Sequence, residues 1–461
     1  MKKLIIFICS LAVILVSVIV PVSAEQNYYA NIEGLSCKSD LLMSLDNNEI
    51  IVSNNADVPV APASLTKLMT ALVVLKNCPD LEQMMTVSQE AIATLAGTGS
   101  SLSGLKAGEQ ISLYNMLCCM MIPSGNDAAV ALAAQVGGSI ENFVAMMNQT
   151  AAELGCKNTH FVNPHGLDAE GHQSTASDLA LIAKKDLEYS VFKKIVSLVE
   201  YELPQTNMNP ARKIVNTNFL INPGYTTYYY SPCKGIKTGS TDLAGKCLVS
   251  YASKDGYNYL AVALGGEYKD TDGDKVEENQ AFMDSIRMFK WAFANMSYEQ
   301  VAKQNQFVAD IPLNYCWKTD AMRLVAKNEA FALIPKGNDS ESVEFEPVEK
   351  PESIDAPVKA GDSVCSAKIL YAGQQIGTVE LIAAEDANMS VLLYAKAVLK
   401  RITGYTVFKI IVVVILLFAV LYVIMYIRAN RKRRKSRELK IVKYNELERN
   451  TAKKNKNSKK K

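Results

Sequence analysis

Residues 410–427, IIVVVILLFAVLYVIMYI, form an 18-residue run without a single charge. At about 1.5 Å of rise per helical residue, such a run nearly matches a bilayer's hydrocarbon core, where a helix keeps all its backbone polar groups bonded. One membrane span is therefore expected. The segment 428–461 opens with RANRKRRKSRELK and carries 16 Lys and Arg against 3 Asp and Glu, which leaves 33 basic and 44 acidic residues for the first 427. The whole-chain net charge of +2 conceals a cationic tail and an acidic body. Basic residues flanking a span stay cytoplasmic, so the body is expected outside the cell membrane. The tail reads as a topology signal with some attraction to anionic lipid, and nucleic-acid binding is not expected.

At the other end, MKKLIIFICSLAVILVSVIVPVSA combines Lys2 and Lys3, an apolar run and the small-residue ending Val22-Ser23-Ala24. This pattern predicts a signal peptide over 1–24, cleaved after Ala24. Cys9 leaves with it, and the nine remaining cysteines form no C-x-x-C pair, so neither a zinc site nor a redox motif is indicated. Contexts such as NMLCCMMI suggest small buried hydrophobes, although the compartment permits disulfides.

The body is too long for one core, and its texture changes near residue 299. Before that point, strand-like pairs such as LLMSLDNNEIIVS alternate with helical patterns. ASLTKLMTALVVLKN spaces Leu65, Leu68, Met69, Leu72 and Leu75 at helical intervals, and LYNMLCCMMI is stopped by Pro123. DAAVALAAQV ends at Gly137-Gly138, ENFVAMMNQTAAELG closes at Gly155, and SDLALIAKKDL takes Ser177 as its expected cap. AGKCLVSYA, SKDG and YNYLAVALGG predict a β-hairpin apolar enough to lie mid-sheet, followed by the helix FMDSIRMFKWAFANM. The expectation is an α/β (α+β) domain over 25–298, a sheet flanked by a helical subdomain. A small all-β domain follows over 299–388 and an amphipathic connector over 389–409; the transmembrane helix is 410–427 and the tail 428–461.

Ser64 and Lys67 stand three apart at the front of the first helix, on one face, as a nucleophile beside an amine. A serine is a feeble nucleophile at neutral pH, and an amine whose pKa is lowered by desolvation or a second cation can accept its proton. The helix N-terminus supplies a backbone N–H for a developing oxyanion. Ser124-Gly125-Asn126 follows about 60 residues on, in a loop between helices, and Lys237-Thr238-Gly239 about 110 residues beyond, before a hairpin.

In this order the three elements resemble the active-site motifs of penicillin-binding proteins and serine β-lactamases. ASLTKLMTAL, SGNDAAVALA, NPHGLDAEGHQSTASDLA and GIKTGSTDLAGKCLV resemble most closely the low-molecular-weight D-alanyl-D-alanine carboxypeptidases, serine peptidase family S11, over about residues 28 to 296. The β-rich stretch resembles that family's C-terminal domain. The resemblance implies the β-lactamase/penicillin-binding transpeptidase-like fold, with Ser64 and Lys67 both exposed because the helix end forms the floor of a cleft, and Ser64 attacking the carbonyl between the last two D-alanines of a peptidoglycan stem peptide. It implies that Lys67 takes the serine proton, Ser124 relays protons and Asn126 contacts the substrate amide. Lys237 and Thr238 would address the terminal carboxylate, Gly239 lets the backbone come close, and the N–H groups of Ser64 and Ser240 form the oxyanion hole. β-Lactams would acylate Ser64 and leave slowly; no cofactor is implied. The middle motif is S-G-N rather than the S-D-N of class A β-lactamases, which favours the carboxypeptidase branch. Some relatives carry arginine where this chain has Thr217, so a carboxylate contact from that position is not expected.

His160, His165 and His172 fall within 13 residues, but their spacings share no helical face and Asn163-Pro164, Gly166 and Gly171 interrupt them. Structural hydrogen bonding is their expected role, with a Ser64-His-Asp arrangement through Asp168 or Asp178 as the alternative, which leaves Lys67 and Lys237 unexplained. Competing functions are a membrane β-lactam sensor, for which the tail is too short and polar to bury an effector core, a D,D-endopeptidase or β-lactamase of the same fold, and a non-catalytic stem-peptide scaffold.

Overall fold

In this computed structural model the described residues are 32–457, apart from 271, 272, 274 and 340, so the expected signal peptide lies outside them. The chain divides into two compact units. The first comprises Met1–Lys303 with Glu329–Glu346 and Lys368–Val379; the second comprises Gln304–Asn328, Pro347–Ala367 and Glu380–Lys461.

The first unit is organised by a five-stranded antiparallel sheet made of β1 (Ser39–Ser44), β2 (Ile50–Asn54), β3 (Cys233–Thr241), β4 (Gly245–Lys254) and β5 (Tyr257–Gly266), in the order β2-β1-β5-β4-β3. Both faces are covered, and the period-two alternation of strand side chains sorts them into two cores. Along β5, Leu260, Val262 and Leu264 enter one core while Tyr259, Ala261 and Ala263 enter the other. The hairpin between β4 and β5 turns through Asp255 and Gly256, both at positive φ (53° and 87°), as a two-residue loop requires.

The first core belongs to the helical subdomain: α1 (Thr66–Asn77), α2 (Leu113–Met121), α3 (Asn126–Gly137), α4 (Ile140–Glu153) and α5 (Ala176–Asp186). Every residue of α1 from Thr66 to Leu75 is buried, so α1 is a central helix rather than an amphipathic cover. Gly138 closes α3 in the left-handed region (φ 74°), as its glycine predicts. The cap of α5 differs from expectation. Ala176 and Ser177 are already helical, and Thr175, extended at φ −126°, accepts the N–H of Asp178 through its hydroxyl. The second core is covered by α6 (Gln280–Asn295), whose Phe282, Ile286, Met288, Phe289 and Ala292 face the sheet.

Within the second unit, strands Phe307–Asn314 and Ala321–Ala326 pair antiparallel, and Leu324–Ala326 pair with Leu381–Ala383. Ser390 caps helix α7 (Val391–Gly404), none of whose side chains is buried, and α8 runs unbroken from Thr406 to Asn457, exposed throughout the part whose side chains are described apart from the half-buried Phe408. Among the described residues, α8 is the one helix that is by itself long and apolar enough to cross a membrane. Of the nine cysteines, Cys118, Cys119, Cys233 and Cys247 are buried and the other five half-buried, all as free thiols.

Candidate active site

Ser64 does not sit on α1 itself. It occupies a 3-10 turn, Ala63–Leu65, that feeds into the helix, with Ala63 in the left-handed region at φ 47°. A non-glycine residue held there is strained, and Thr66 holds it by donating its hydroxyl to the Ala63 carbonyl at 2.8 Å. The turn still brings Ser64 and Lys67 together: Nζ lies 2.8 Å from Oγ. Ser64 is half-buried, but Lys67 is fully buried, contrary to the expectation of two groups open on a cleft floor.

Lys67 has two further partners, Asn126 Oδ1 at 2.6 Å and the His165 carbonyl at 2.8 Å. Both can only accept, so two N–H bonds are committed to them and the third tetrahedral direction points at Ser64. In the ammonium that direction donates; in the neutral amine it holds the lone pair. Burial, and then the charge of Lys237, push the Lys67 pKa well below its usual value, with Asp127 opposing. A neutral amine aimed at a hydroxyl can take its proton.

Asn126 is the first residue of α3, and Ser124 stands two residues earlier at φ 66°. Asp127 fixes this corner, its carboxylate accepting from the N–H groups of Ser103 (2.8 and 2.9 Å) and Leu105 (3.1 Å). Among the described residues no hydrogen bond joins the Ser124 hydroxyl to Lys67.

Lys237, Thr238 and Gly239 lie within β3, at the sheet edge and just ahead of the β4–β5 hairpin, as the sequence led one to expect. A methyl group on Gly239 would stand 3.2 Å from Ala63 Cβ and from the Pro62 carbonyl oxygen, so this strand touches the Ser64 turn by its backbone. Lys237 is buried, which lowers its pKa to about 7, and its Nζ donates to the Thr238 carbonyl at 3.0 Å. Ser240 is exposed, and its hydroxyl accepts from Lys246 at 3.0 Å. The 64, 67 and 126 side chains are thus joined directly, with the 237–239 strand against the same turn.

The histidines serve the scaffold. His172 Nδ1 accepts the Val162 N–H at 2.9 Å, so Nε2 carries the hydrogen and donates to Thr66 Oγ1 at 2.8 Å. His165 Nδ1 accepts the Leu167 N–H and His160 Nδ1 meets the Gly171 carbonyl. None of them bonds Ser64. Asp178 is spent on Lys157, Asn158 and Thr159, and Asp168 on Thr241. Sequence reasoning missed the His165 carbonyl, a backbone group that side-chain identity does not advertise, and Thr66 and Asp127, whose only signal was adjacency to the motifs.

The family model described as D-alanyl-D-alanine carboxypeptidase matches residues 25–268, and the one described as penicillin-binding protein 5, C-terminal domain, matches 297–388. The D-alanyl-D-alanine carboxypeptidase DacF of Bacillus subtilis is 32% identical over 373 residues, spanning 81% of this chain and 90% of that protein. DacC of Escherichia coli is 31% identical, spanning 79% and 87%. Among solved structures, the carboxypeptidase DacD from Francisella tularensis superposes with a TM-score of 0.60 at 25% identity, covering 78% of this chain and 95% of that one. Penicillin binding protein 5 from Haemophilus influenzae superposes at 0.57 and 26%, covering 77% and 98%.

Proposed function

The chain belongs to the D-alanyl-D-alanine carboxypeptidase family of serine peptidases, and from that premise we propose that Ser64 is its nucleophile and Lys67 the base that activates it. Ser64 Oγ attacks the carbonyl carbon of the penultimate D-alanine while its proton passes to the Lys67 lone pair. The tetrahedral oxyanion is held by the N–H groups of Ser64 and Ser240. Collapse breaks the C–N bond, the departing nitrogen takes a proton by way of Ser124, and D-alanine leaves. Water then attacks the ester, regenerating Ser64. Asn126 contacts the substrate amide, Lys237 and Thr238 receive the terminal carboxylate, and Gly239 permits the close approach of β3. A β-lactam enters by the same route and stays as a slow ester.

The observation that carries this reading is the Lys67 amine, buried, with two directions fixed on pure acceptors and the third on Ser64 Oγ at 2.8 Å. Detergent-solubilised protein is expected to release D-alanine from a diacyl-Lys-D-Ala-D-Ala peptide. Wild-type turnover in Ser64→Ala would refute the assignment.

Residues 1–24 are read as a signal peptide, 25–298 as the catalytic domain, 299–388 as the β domain and 389–409 as a connector. The span 410–427 then holds the catalytic domain outside the cell membrane, with 428–461 in the cytoplasm. A sensor is not favoured, because residues 428–452 extend α8 with every side chain exposed, leaving no effector core there.

A further inference from the structure

Asn216-Thr217-Asn218 lies between the two walls of the site. Asn216 and Asn218 are buried and locally bonded: Asn216 Nδ2 donates to the Leu198 carbonyl at 2.9 Å, its Oδ1 accepts the Asn218 N–H at 2.9 Å, and Asn218 Oδ1 accepts the Leu220 N–H at 3.1 Å. Thr217, held between them, is half-buried. Its N–H donates at 3.2 Å to the carbonyl of Ile122, which caps α2 just ahead of Ser124. Its hydroxyl oxygen lies 2.5 Å from Thr238 Oγ1. One residue therefore bridges the loop of Ser124 and Asn126 and the strand of Lys237 and Thr238.

The charges around it are limited. Residues 32–303 contain two arginines, Arg212, which faces Glu109 at 3.5 Å, and Arg287, bonded to Asp284 at 2.7 Å. Of the ammonium groups beside β3, Lys67 and Lys237 are buried with lowered pKa values, and Lys246 is held by Ser240 Oγ and stands over the Tyr268 ring. Among the described residues no hydrogen bond or ion pair joins either guanidinium to Thr217, Lys237 or Thr238, and directed hydroxyl donors gain importance.

We infer that Thr217 is a positioning residue that sets the direction of the Thr238 hydroxyl toward a carboxylate-ended substrate. This rests on the reading that Thr238 addresses the terminal carboxylate. Two hydroxyls 2.5 Å apart share one hydrogen between them. If Thr238 donated to Thr217, its bare oxygen would face an acceptor-only carboxylate. If Thr217 donates, the Thr238 hydrogen is free to point at the ligand, and the chained donation strengthens it.

The test compares full-length Thr217→Val, nearly isosteric and retaining the N–H to Ile122, with Thr217→Ser, which keeps the hydroxyl, on diacyl-Lys-D-Ala-D-Ala. Removing the hydroxyl that donates to Thr238 Oγ1 loses one neutral hydrogen bond and leaves the Thr238 rotor unfixed, which is expected to lower kcat/KM of the valine variant roughly 5- to 10-fold, expressed in KM, with an unchanged melting temperature. The serine variant is expected to stay within about threefold of wild type. An unimpaired valine variant, equal impairment of both variants, or a loss confined to kcat would overturn the inference while wild-type turnover stands. An inactive wild-type protein would overturn the function itself and this inference with it.

Discussion

Gly166 faces the carbonyl oxygen of Ala63 so closely that a methyl group at 166 would stand 1.8 Å from it. Gly166 also sits at φ 92°, a conformation L side chains rarely adopt. The loop that gives Lys67 the His165 carbonyl is thereby pressed, backbone to backbone, onto the turn that carries Ser64. Positions of nucleophile and amine are set by one contact that only glycine permits.

Gly166→Ala is accordingly expected to cost about 2–4 kcal/mol of stability, because the obstructing atoms are backbone and cannot turn aside. Penicillin acylation should fall at least about tenfold even where the variant remains folded, since a small misplacement of reacting groups is costly. Thermal denaturation and the rate of labelling by fluorescent penicillin check both; an alanine variant that labels at the wild-type rate contradicts the contact's role.

His172 carries a pH consequence. Burial first, then the charge of His160, lowers its pKa to about 4, against an ordinary value of 6.5. Between those values the unfolded chain binds a proton that the folded chain refuses, so stability is lost as pH falls from about 6.5 to about 4. Protonation would also place a second N–H against that of Val162. Replacing His172 with Gln should flatten the dependence of melting temperature on pH in this window, and cost about 1–3 kcal/mol at neutral pH through the lost Thr66 and Val162 bonds. An unaltered pH slope would contradict the assignment.

Lys237 bears on the base. Its charge is, after burial, the second cause of the low Lys67 pKa. Lys237→Met removes that charge, so the Lys67 pKa should rise and the acidic limb of penicillin acylation should move to higher pH. The same substitution should weaken binding of carboxylate-ended peptides. A limb that stays in place would separate the two lysines electrostatically.

Much of this was legible in the residues and some was not. β5 announced itself because an apolar run between turn signals fits a strand covered on both faces, and both cores now claim alternate residues of YNYLAVALGG. Ser64 and Lys67 were legible as neighbours because i,i+3 adjacency survives the exchange of an α turn for a 3-10 turn. The burial of Lys67 was not, since it depends on the His165 loop, 98 residues away, closing over the amine. The cap of α5 is Thr175 rather than the expected Ser177: the helix begins two residues earlier than the local pattern indicates, and serine, the stronger capping type, draws the expectation to itself. Gly166 looked like an ordinary loop glycine, because a distant carbonyl leaves no mark on the chain around it.

The most direct test of a Ser64 ester is peptide mapping, by mass spectrometry, of the solubilised full-length protein after brief exposure to benzylpenicillin. One penicilloyl adduct on the peptide containing Ser64, absent from Ser64→Ala, is the predicted result. An adduct on another residue, or undiminished labelling of the alanine variant, would contradict it.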